Sequence, residues 1–300
     1  MGEEFNLQEL KKLFKPLPKS KKEDNGKVTI IGGSFLFHGA PILALKVATR
    51  LVDMVFFSSP ESSIGRVAER IKSKLGAFIW VPFEEVEDYI AKSEAVLIGP
   101  GFMRFRKESQ SQKCQKEKVC DDEGLKTKKI TETLLQKFPQ KQWVIDAGSL
   151  QTMEAKYIPK NAILTPNQKE FEMLFNFKLQ PFNPQENNQI TGENLNLIKK
   201  MAEKYNCIIV LKLAETIVCS PQKCVLIKGG NAGLTKGGTG DVLAGLTVGL
   251  AAKNEPFLAA CVASWILKKS ADELYQEVGF AYNADDLAEK VPKVLGRYWR

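Results

Sequence analysis

The chain has 300 residues, of which 44% are apolar and 26% charged, with a formal net charge of +8. This is ordinary globular composition, and a chain of this length can bury a full core. We find no linker near the middle and therefore expect a single domain over residues 1–300. The positive charge is densest between Arg104 and Lys129, a polar stretch poor in aromatic residues. It favours a solvated basic loop over a nucleic-acid surface, and the overall charge suits phosphorylated metabolites.

The six cysteines show no CxxC pair and no zinc-ribbon spacing. Cys207, Cys219 and Cys261 lie in apolar runs, where cysteine usually behaves as a small buried residue. Cys114 and Cys120 lie in the polar stretch and could pair, but a reduced chain is the expectation. The chain shows neither a signal-peptide core nor a run of about 18 apolar residues. We therefore predict a soluble, cytoplasmic protein with no membrane partner.

Short apolar runs alternate with helical patterns along the chain. After a lead-in at 1–26 that contains a short amphipathic helix, strands are predicted at 27–31, 54–57, 95–98, 143–145, 162–164 and 207–212, and a hairpin at 216–219 and 225–228. Helices are predicted at 41–51, 60–75, 130–138, 169–175, 195–205, 241–252 and 257–275, and a polar basic insertion loop at 103–128. This alternation favours an α/β fold with a mostly parallel sheet covered on both faces.

Glycine-rich or polar turns follow several of the predicted strands. They are Gly32-Gly33-Ser34, Gly99-Pro100-Gly101, Asp146, Thr165-Pro166-Asn167 and Lys212. In parallel α/β sheets the ligand binds beyond the carboxyl ends of the strands. We therefore expect these turns to meet at one ligand-binding rim.

The strongest local signal is GNAGLTKGGTGDVLAGL at residues 230–246. Glycines at 237, 238 and 240 let backbone amides approach a ligand closely, and Thr239 adds a hydroxyl. The helix that Asp241 opens offers unpaired N–H groups and the positive end of its dipole, which together predict an anion hole. The pattern is not a P-loop, because no Gly-Lys-Ser/Thr ends it. It is not a dinucleotide fingerprint either, because no βαβ unit opens there.

Asp241 has two interpretations. Facing a bound phosphate, its carboxylate could take a proton from a substrate hydroxyl as that hydroxyl attacks the γ-phosphate. Alternatively it caps the helix, a position that carboxylates favour. Four surrounding glycines and the Ala-Gly helix behind them exceed what a cap needs, and so favour catalysis.

Three other polar residues have open roles. Lys236 points either at phosphates, which we favour, or at solvent. Asp146 either binds magnesium through water or caps the next turn, so no residue is assigned as a metal ligand. His38, the only histidine, is more typical of a loop residue than of a catalyst.

The GGTGD segment followed by VLAG resembles the anion-hole signature of the ribokinase-like superfamily and, more narrowly, that of the ADP- or ATP-dependent NAD(P)H-hydrate dehydratases. The resemblance runs from about Leu17 to Leu295. In the family's order it includes GGSFLFHGAP, SEAVLIGPG, VIDAGSL, ILTPNQKEF, VLKLAETIV and YNADDLAEKVPKVL. It implies a ribokinase-like three-layer α/β/α sandwich with a mostly parallel central sheet.

The resemblance also implies an activity, the repair of hydrated NADH and NADPH (NADHX and NADPHX). The cosubstrate would be ADP or ATP, with Mg²⁺ as cofactor. The family often forms tetramers, so a homo-oligomer is expected, and the resemblance allows a separate NAD(P)HX epimerase as a partner without showing that one exists.

Individual site residues carry over by position. Substrate contacts are implied for Ala40, Gly101, Asn167 and Asp241, of which Asp241 matches the catalytic aspartate. The stretch beside the adenosine part of the nucleotide is Lys212, Leu213, Ala214, Glu215 and Thr216. Gly240 matches a contact at the phosphate end, where the glycine loop adds Gly237, Gly238 and Thr239.

The chain departs from the family pattern at a few positions of this site. Asn167 stands where histidine is usual, and Lys169 and Leu213 stand where glycine is usual. Gly148-Ser149 and Phe102-Met103 replace the pairs Asp-Ala and Leu-Gly. These differences concern the substrate more than the fold.

Two alternative functions remain. A vitamin-type heterocycle kinase of the same fold would share GGTGD but lack the GGSFLFHGAP and YNADDL segments. A non-catalytic nucleotide-binding protein would suit the altered Thr-Pro-Asn turn, but loss of catalysis would be expected to relax Asp241 first.

Overall fold

The computed structural model describes residues 3–105, 122–180 and 191–299. Within these ranges the strands are β1 Glu3–Glu4, β2 Lys27–Ile31, β3 Met54–Ser58, β4 Ile79–Trp80, β5 Ala95–Ile98, β6 Gln142–Ile145, β7 Ile163–Leu164, β8 Ile208–Leu211, β9 Thr216–Cys219 and β10 Cys224–Ile227. The helices are α1 Gly39–Ala48, α2 Ser62–Ile71, α3 Val86–Lys92, α4 Asp122–Lys137, α5 Ala147–Thr152, α6 Gln168–Phe175, α7 Gly192–Tyr205, α8 Thr239–Ala251, α9 Pro256–Val278 and α10 Ala284–Tyr298.

The strands form one sheet in the order β1-β10-β9-β8-β7-β6-β5-β2-β3-β4. Strands β8 to β4 in this order are all parallel, and β9 runs antiparallel to both of its neighbours. The chain moves outward from β2 through β3 to β4, and then returns to β5 on the other side of β2. The topological switch point therefore lies between β2 and β5, where α/β sheets form their ligand crevice.

Helices cover both faces of the sheet. Successive strand residues point to opposite faces, so each strand contributes side chains to both cores. In β5, Ala95 and Leu97 join the core under α1, α8, α9 and α10, whereas Val96 and Ile98 join the core under α3, α4, α6 and α7. All four β5 side chains are fully buried, as expected for a central parallel strand. The predicted three-layer α/β/α sandwich with a mostly parallel sheet is confirmed.

Several predicted elements are corrected by the structure. Helix α4 starts at Asp122, inside the predicted 103–128 loop, while 106–121 lies outside the described residues. Helices α3 and α5 and strand β4 were not predicted, because they are short and carry little periodic signal. Helix α10 was also missed as an element. Pro292 lies in its interior, and proline there usually predicts the end of a helix. A capping box at Asn283 nevertheless stabilises the start of α10.

The lead-in packs onto the domain. Its helix at Leu7–Lys12 is a short 3₁₀ helix rather than an α-helix, and β1 pairs with β10 at the sheet edge. The Phe14 carbonyl accepts a hydrogen bond from Trp299 Nε1 at 2.6 Å, and the Phe14 N–H donates to Asn254 Oδ1 at 2.7 Å. Among the described helices, none has the length and apolar character needed to cross a bilayer.

The structure contains a disulfide that the expectation of a reduced chain missed. The β9–β10 register sets Cys219 directly opposite Cys224, with the two Cα atoms 4.1 Å apart, and the sulfurs are bonded. Cys207 and Cys261 are buried free thiols, as predicted, and burial raises the pKa of Cys207 to about 12. Cys114 and Cys120 lie outside the described residues.

Trypsin can test the disulfide directly, because it cuts between the two cysteines after Lys223. We expect an unreduced, alkylated digest to contain residues 213–223 linked to residues 224–228, and reduction to release both peptides. The measurement is mass spectrometry with and without reductant. Two separately alkylated peptides in the unreduced sample would show that the pair is a dithiol.

Candidate active site

The structure contains the predicted rim at the carboxyl ends of the parallel strands. Strands β8, β7, β6, β5 and β2 are consecutive in the sheet and parallel, so their carboxyl ends lie side by side. A parallel bridge between Asn167 and Lys212 extends the β7–β8 pairing into the turns. The polar and glycine-rich turns predicted from the sequence therefore all meet at this edge.

At the switch point, two glycine turns lock together. The Gly33 N–H donates to the Pro100 carbonyl at 2.8 Å. Gly101 has φ +76°, and a Cβ there would lie 2.5 Å from the Phe37 carbonyl oxygen and 3.1 Å from Pro41 Cδ. Only glycine suits this position. The interlock brings Gly101 beside the first turn of α1, where Ala40 lies partly exposed, so these two predicted substrate contacts are neighbours.

The glycine loop meets α1 where α8 starts. Gly238 is the N-cap of α8 with φ +95°, and a Cβ there would lie 2.5 Å from Leu43 Cδ1 of α1. No side chain caps this helix, which leaves its start to backbone N–H groups, as an anion hole requires. Asp241 lies within the first turn rather than at the N-cap, and its carboxylate interacts with its own backbone N–H.

Two polar side chains of the loop are occupied in holding its shape. The Thr239 hydroxyl donates to the Leu234 carbonyl at 2.7 Å. The Lys236 ammonium donates to the carbonyls of Phe280 and Tyr282, and so ties the loop to the approach to α10. We predicted that Lys236 points at phosphates, but in the structure its ammonium is hydrogen-bonded to backbone carbonyl oxygens.

A lysine and two carboxylates cluster beneath the start of α8. Lys212 Nζ donates to Asp146 Oδ1 at 2.9 Å and lies 3.8 Å from Glu170 Oε2. Asp146 is only 1% exposed and Glu170 5%. A Cβ on Gly240 would lie 3.3 Å from the same Nζ, so the ammonium reaches the first turn of α8. Asp146 makes no side-chain cap on α5, so its carboxylate serves Lys212 instead.

This cluster controls the protonation of Asp241. Burial, together with the carboxylates of Asp146 and Glu170, raises the pKa of Asp241 to about 7 against the opposing charge of Lys212. Burial works to lower the pKa of Lys212, but the surrounding carboxylates outweigh it and the net pKa is raised. A carboxylate with a pKa near neutrality is suited to accept a proton at physiological pH.

Asn167 has a structural role that its predicted substrate contact did not include. Its Oδ1 accepts the Glu170 N–H at 2.9 Å, and Glu170 Oε2 accepts the Asn167 N–H at 2.9 Å. This capping box starts α6 and also fixes the Glu170 carboxylate beside Lys212. Asn167 itself is exposed at the rim. Glu170 was missed by the sequence analysis, although the Asn-x-x-Glu spacing is a capping-box signal.

The predicted nucleotide stretch crosses from β8 to β9 along the rim. Ala214 is exposed, and Leu213 and Glu215 are partly exposed. Thr216 is buried as the first residue of β9, where it pairs with Ile227. The accessible part of the stretch is therefore 212–215. His38 precedes α1 without a side-chain capping bond, as a loop residue would.

The mostly parallel sheet with helices on both faces is a ribokinase-like α/β fold. More narrowly, the chain belongs to the NAD(P)H-hydrate dehydratase family, whose model matches residues 28–293.

Known relatives agree with this placement. The chain is 34% identical to the bifunctional NAD(P)H-hydrate repair enzyme Nnr of Methanocaldococcus jannaschii, over 96% of this chain and 51% of the relative. It is 27% identical to the ADP-dependent (S)-NAD(P)H-hydrate dehydratase of Cenarchaeum symbiosum, over 92% of this chain and 90% of the relative. The chain thus spans about half the length of the bifunctional relatives.

A solved structure shares the fold. The ADP/ATP-dependent NAD(P)H-hydrate dehydratase of Bacillus subtilis, co-crystallised with ATP and Mg²⁺, superposes with a TM-score of 0.74 at 20% identity. The superposition covers 99% of each chain.

The raised pKa of Asp241 predicts a stability effect with a definite sign. Between about pH 4 and 7 the folded protein holds a proton on Asp241 that the unfolded chain has released, so the free energy of unfolding falls as pH rises. Asp241→Asn removes this dependence. Relative to the wild type, we expect the variant to gain up to ~4 kcal/mol between pH 4 and 8. Urea denaturation at both pH values measures this.

Asp53→Asn serves as the matched control. Hydrogen bonds from Asn25 outweigh burial and lower the pKa of Asp53, so its contribution to stability changes mainly below about pH 4. The stability of this variant relative to the wild type should therefore stay nearly constant between pH 4 and 8. A relative stability of Asp241→Asn that does not change between pH 4 and 8 would contradict the raised pKa.

Proposed function

We propose that this chain catalyses the nucleotide-dependent dehydration of hydrated NADH or NADPH, with Asp241 as the catalytic base. The observation that carries the proposal is the half-buried Asp241 carboxylate, with its pKa of about 7, in the first turn of α8 behind the N-cap Gly238 and beside the Lys212 ammonium. Membership of the NAD(P)H-hydrate dehydratase family supports the substrate. Ala40, Gly101 and Asn167, on the same rim, are proposed to contact it.

The proposed reaction has two stages. Asp241 accepts the proton of the ring hydroxyl, whose oxygen attacks the terminal phosphorus of ADP or ATP and releases AMP or ADP. The phosphate ester is a better leaving group than hydroxide. The lone pair of the ring nitrogen then expels inorganic phosphate, and loss of a proton from the adjacent carbon restores the reduced nicotinamide. The net change is dehydration coupled to cleavage of the nucleotide.

The backbone of the glycine loop at 237–240 is proposed to bind the transferred phosphoryl group. Its N–H groups and the α8 dipole stabilise negative charge without needing to reorganise during the reaction. Lys212 lies beside Gly240 and adds a positive charge at the same place. The adenosine part is proposed to lie along 212–216, where Leu213 and Ala214 offer accessible apolar surface.

Asp146 and Glu170 fit a magnesium ion that arrives with the nucleotide. Magnesium is commonly held by one or two carboxylates together with substrate phosphates. Both carboxylates already contact Lys212, so they face the position of the phosphates. Within the described ranges no group of three acidic, histidine or cysteine side chains forms a metal cage of its own. When bound, the ion would neutralise phosphate charge.

Other features of the proposal come from the family resemblance. A homo-oligomer, a separate NAD(P)HX epimerase and a cytoplasmic location stay predictions. The bifunctional relatives carry a second region of comparable length outside the match.

The activity can be measured by the recovery of absorbance of the reduced nicotinamide. We expect recovery when the purified protein is mixed with hydrated NADPH, magnesium and either ADP or ATP, and none with Asp241→Asn. The nucleotide that supports turnover is the cosubstrate. Repeating the measurement with hydrated NADH gives the preference between the two substrates.

Product analysis separates the alternatives. A kinase of the same fold would accumulate a stable phosphorylated product without recovery of absorbance. A non-catalytic binder would raise its melting temperature with nucleotide but show no turnover. Either result with the wild-type protein would exclude the dehydratase.

The base role of Asp241 also predicts a pH profile. Because the carboxylate must be ionised to accept a proton, we expect kcat/KM for the hydrate to rise with pH and level off above about 7. Glu170→Gln removes a neighbouring negative charge but keeps the shape of the side chain, so the rise should move to lower pH. A profile that is identical in the wild type and Glu170→Gln would argue against this electrostatic coupling.

A further inference from the structure

Helix α9 carries a buried lysine that the proposed mechanism does not use. Lys268 is only 3% exposed. Its ammonium donates to the Ala214 carbonyl at 2.5 Å and to the Gly229 carbonyl at 2.8 Å. Ala214 lies between β8 and β9, and Gly229 follows β10. One side chain thus joins the loop that follows β8 to the loop that follows β10, at the open end of the β9–β10 hairpin.

The two loops differ in how else they are attached to α9. The second loop keeps further anchors, because the Gly230 N–H donates to Asp272 Oδ2 at 3.0 Å and Asn231 Nδ2 donates to the Ala271 carbonyl at 2.9 Å. Within the described chain, the hydrogen bond that attaches the 213–215 stretch to α9 comes from Lys268. Loss of the ammonium would therefore release 213–215 while leaving the 229–231 loop in place.

Packing alone does not account for a lysine here. Its neighbours on the buried face of α9 include Ser264 and Ala271, and an apolar side chain would fill the same space without burying a charge. Burial lowers the pKa of Lys268 to about 8, although the carboxylates of Asp272 and Glu215 raise it. The charge is retained at neutral pH despite this cost, which points to a role for the hydrogen bonds themselves.

We propose that Lys268 is a positioning residue for the nucleotide, which holds the 213–215 stretch at the separation from the 229–231 loop that the adenosine part needs. This inference rests on the proposed function, which places adenosine along 212–216. Lys268 contacts backbone oxygens and no reacting group. Its loss should therefore weaken nucleotide binding and leave the chemical step unchanged.

The test compares two neighbouring lysines of one helix. Lys268→Met keeps the apolar stem and removes the donors, while Lys269→Met makes the same change at a partly exposed position. Calorimetric titration gives the Kd for ADP and for ATP, and steady-state kinetics give the nucleotide KM, the hydrate KM and kcat. We expect a roughly tenfold weaker nucleotide Kd and higher nucleotide KM in Lys268→Met alone, with kcat and the hydrate KM within about twofold of the wild type.

Two further variants keep the test decisive. Lys268→Arg retains the charge and the donors and should recover most of the affinity. If Lys268→Met does not fold, as judged by circular dichroism, Lys268→Gln is measured instead and should show the same split between nucleotide KM and kcat. A folded Lys268→Met with a nucleotide Kd within twofold of the wild type, or with a lower kcat at unchanged Kd, would overturn the proposal.

Failure of the proposed function gives a different pattern. A wild-type protein that binds ADP or ATP but does not dehydrate the hydrate would remove the dehydratase assignment, and the Kd comparison alone would then decide the role of Lys268. A wild-type protein that binds neither nucleotide would overturn both.

Discussion

The ion pair between Lys212 and Asp146 is the contact on which the rest of the site depends. It joins the ends of β6 and β8 across β7, and its ammonium also reaches Glu170 and the first turn of α8. Removing Lys212 would leave the buried Asp146 carboxylate without its compensating charge, a change that typically destabilises a protein by about 3–5 kcal/mol. The same pair sets the field in which Asp241 ionises. Fold and chemistry are therefore linked through one lysine.

Asp241 gains its properties from this setting. As a helix residue near an N-terminus, it would ordinarily be a stabilised carboxylate with a low pKa. Burial beside two other acids reverses that outcome and raises the pKa of Asp241 to about 7. The glycine loop contributes backbone N–H groups, so the helix start is suited to negative charge without further lysines. A base and an anion-binding site can thus share one helix start.

Much of the sheet could be predicted from the sequence, because β2 and β5 are short runs of buried apolar residues that end at glycines. The ligand-binding rim was predicted from the glycine-rich and polar turns that follow these strands. Contacts between distant residues could not be predicted. The Asn-x-x-Glu spacing signals the capping box of Asn167 and Glu170, but nothing local signals the contact of Glu170 with Lys212. The hydrogen bond from Lys236 to the Tyr282 carbonyl likewise has no local sequence signal. The Cys219–Cys224 bond was missed because hairpin register, rather than spacing alone, determines which cysteines face each other.

The interlocked glycine turns have a consequence for how this protein can evolve. The wall formed by Gly33, Pro100 and Gly101 consists of main chain, so exchanging side chains there cannot reshape it. The tip of the loop after β2 differs, because the side chains of Phe35, Leu36 and Phe37 are exposed there and can be exchanged. Mutation can therefore alter the side chains at this tip while the main-chain interlock of the two turns stays as it is.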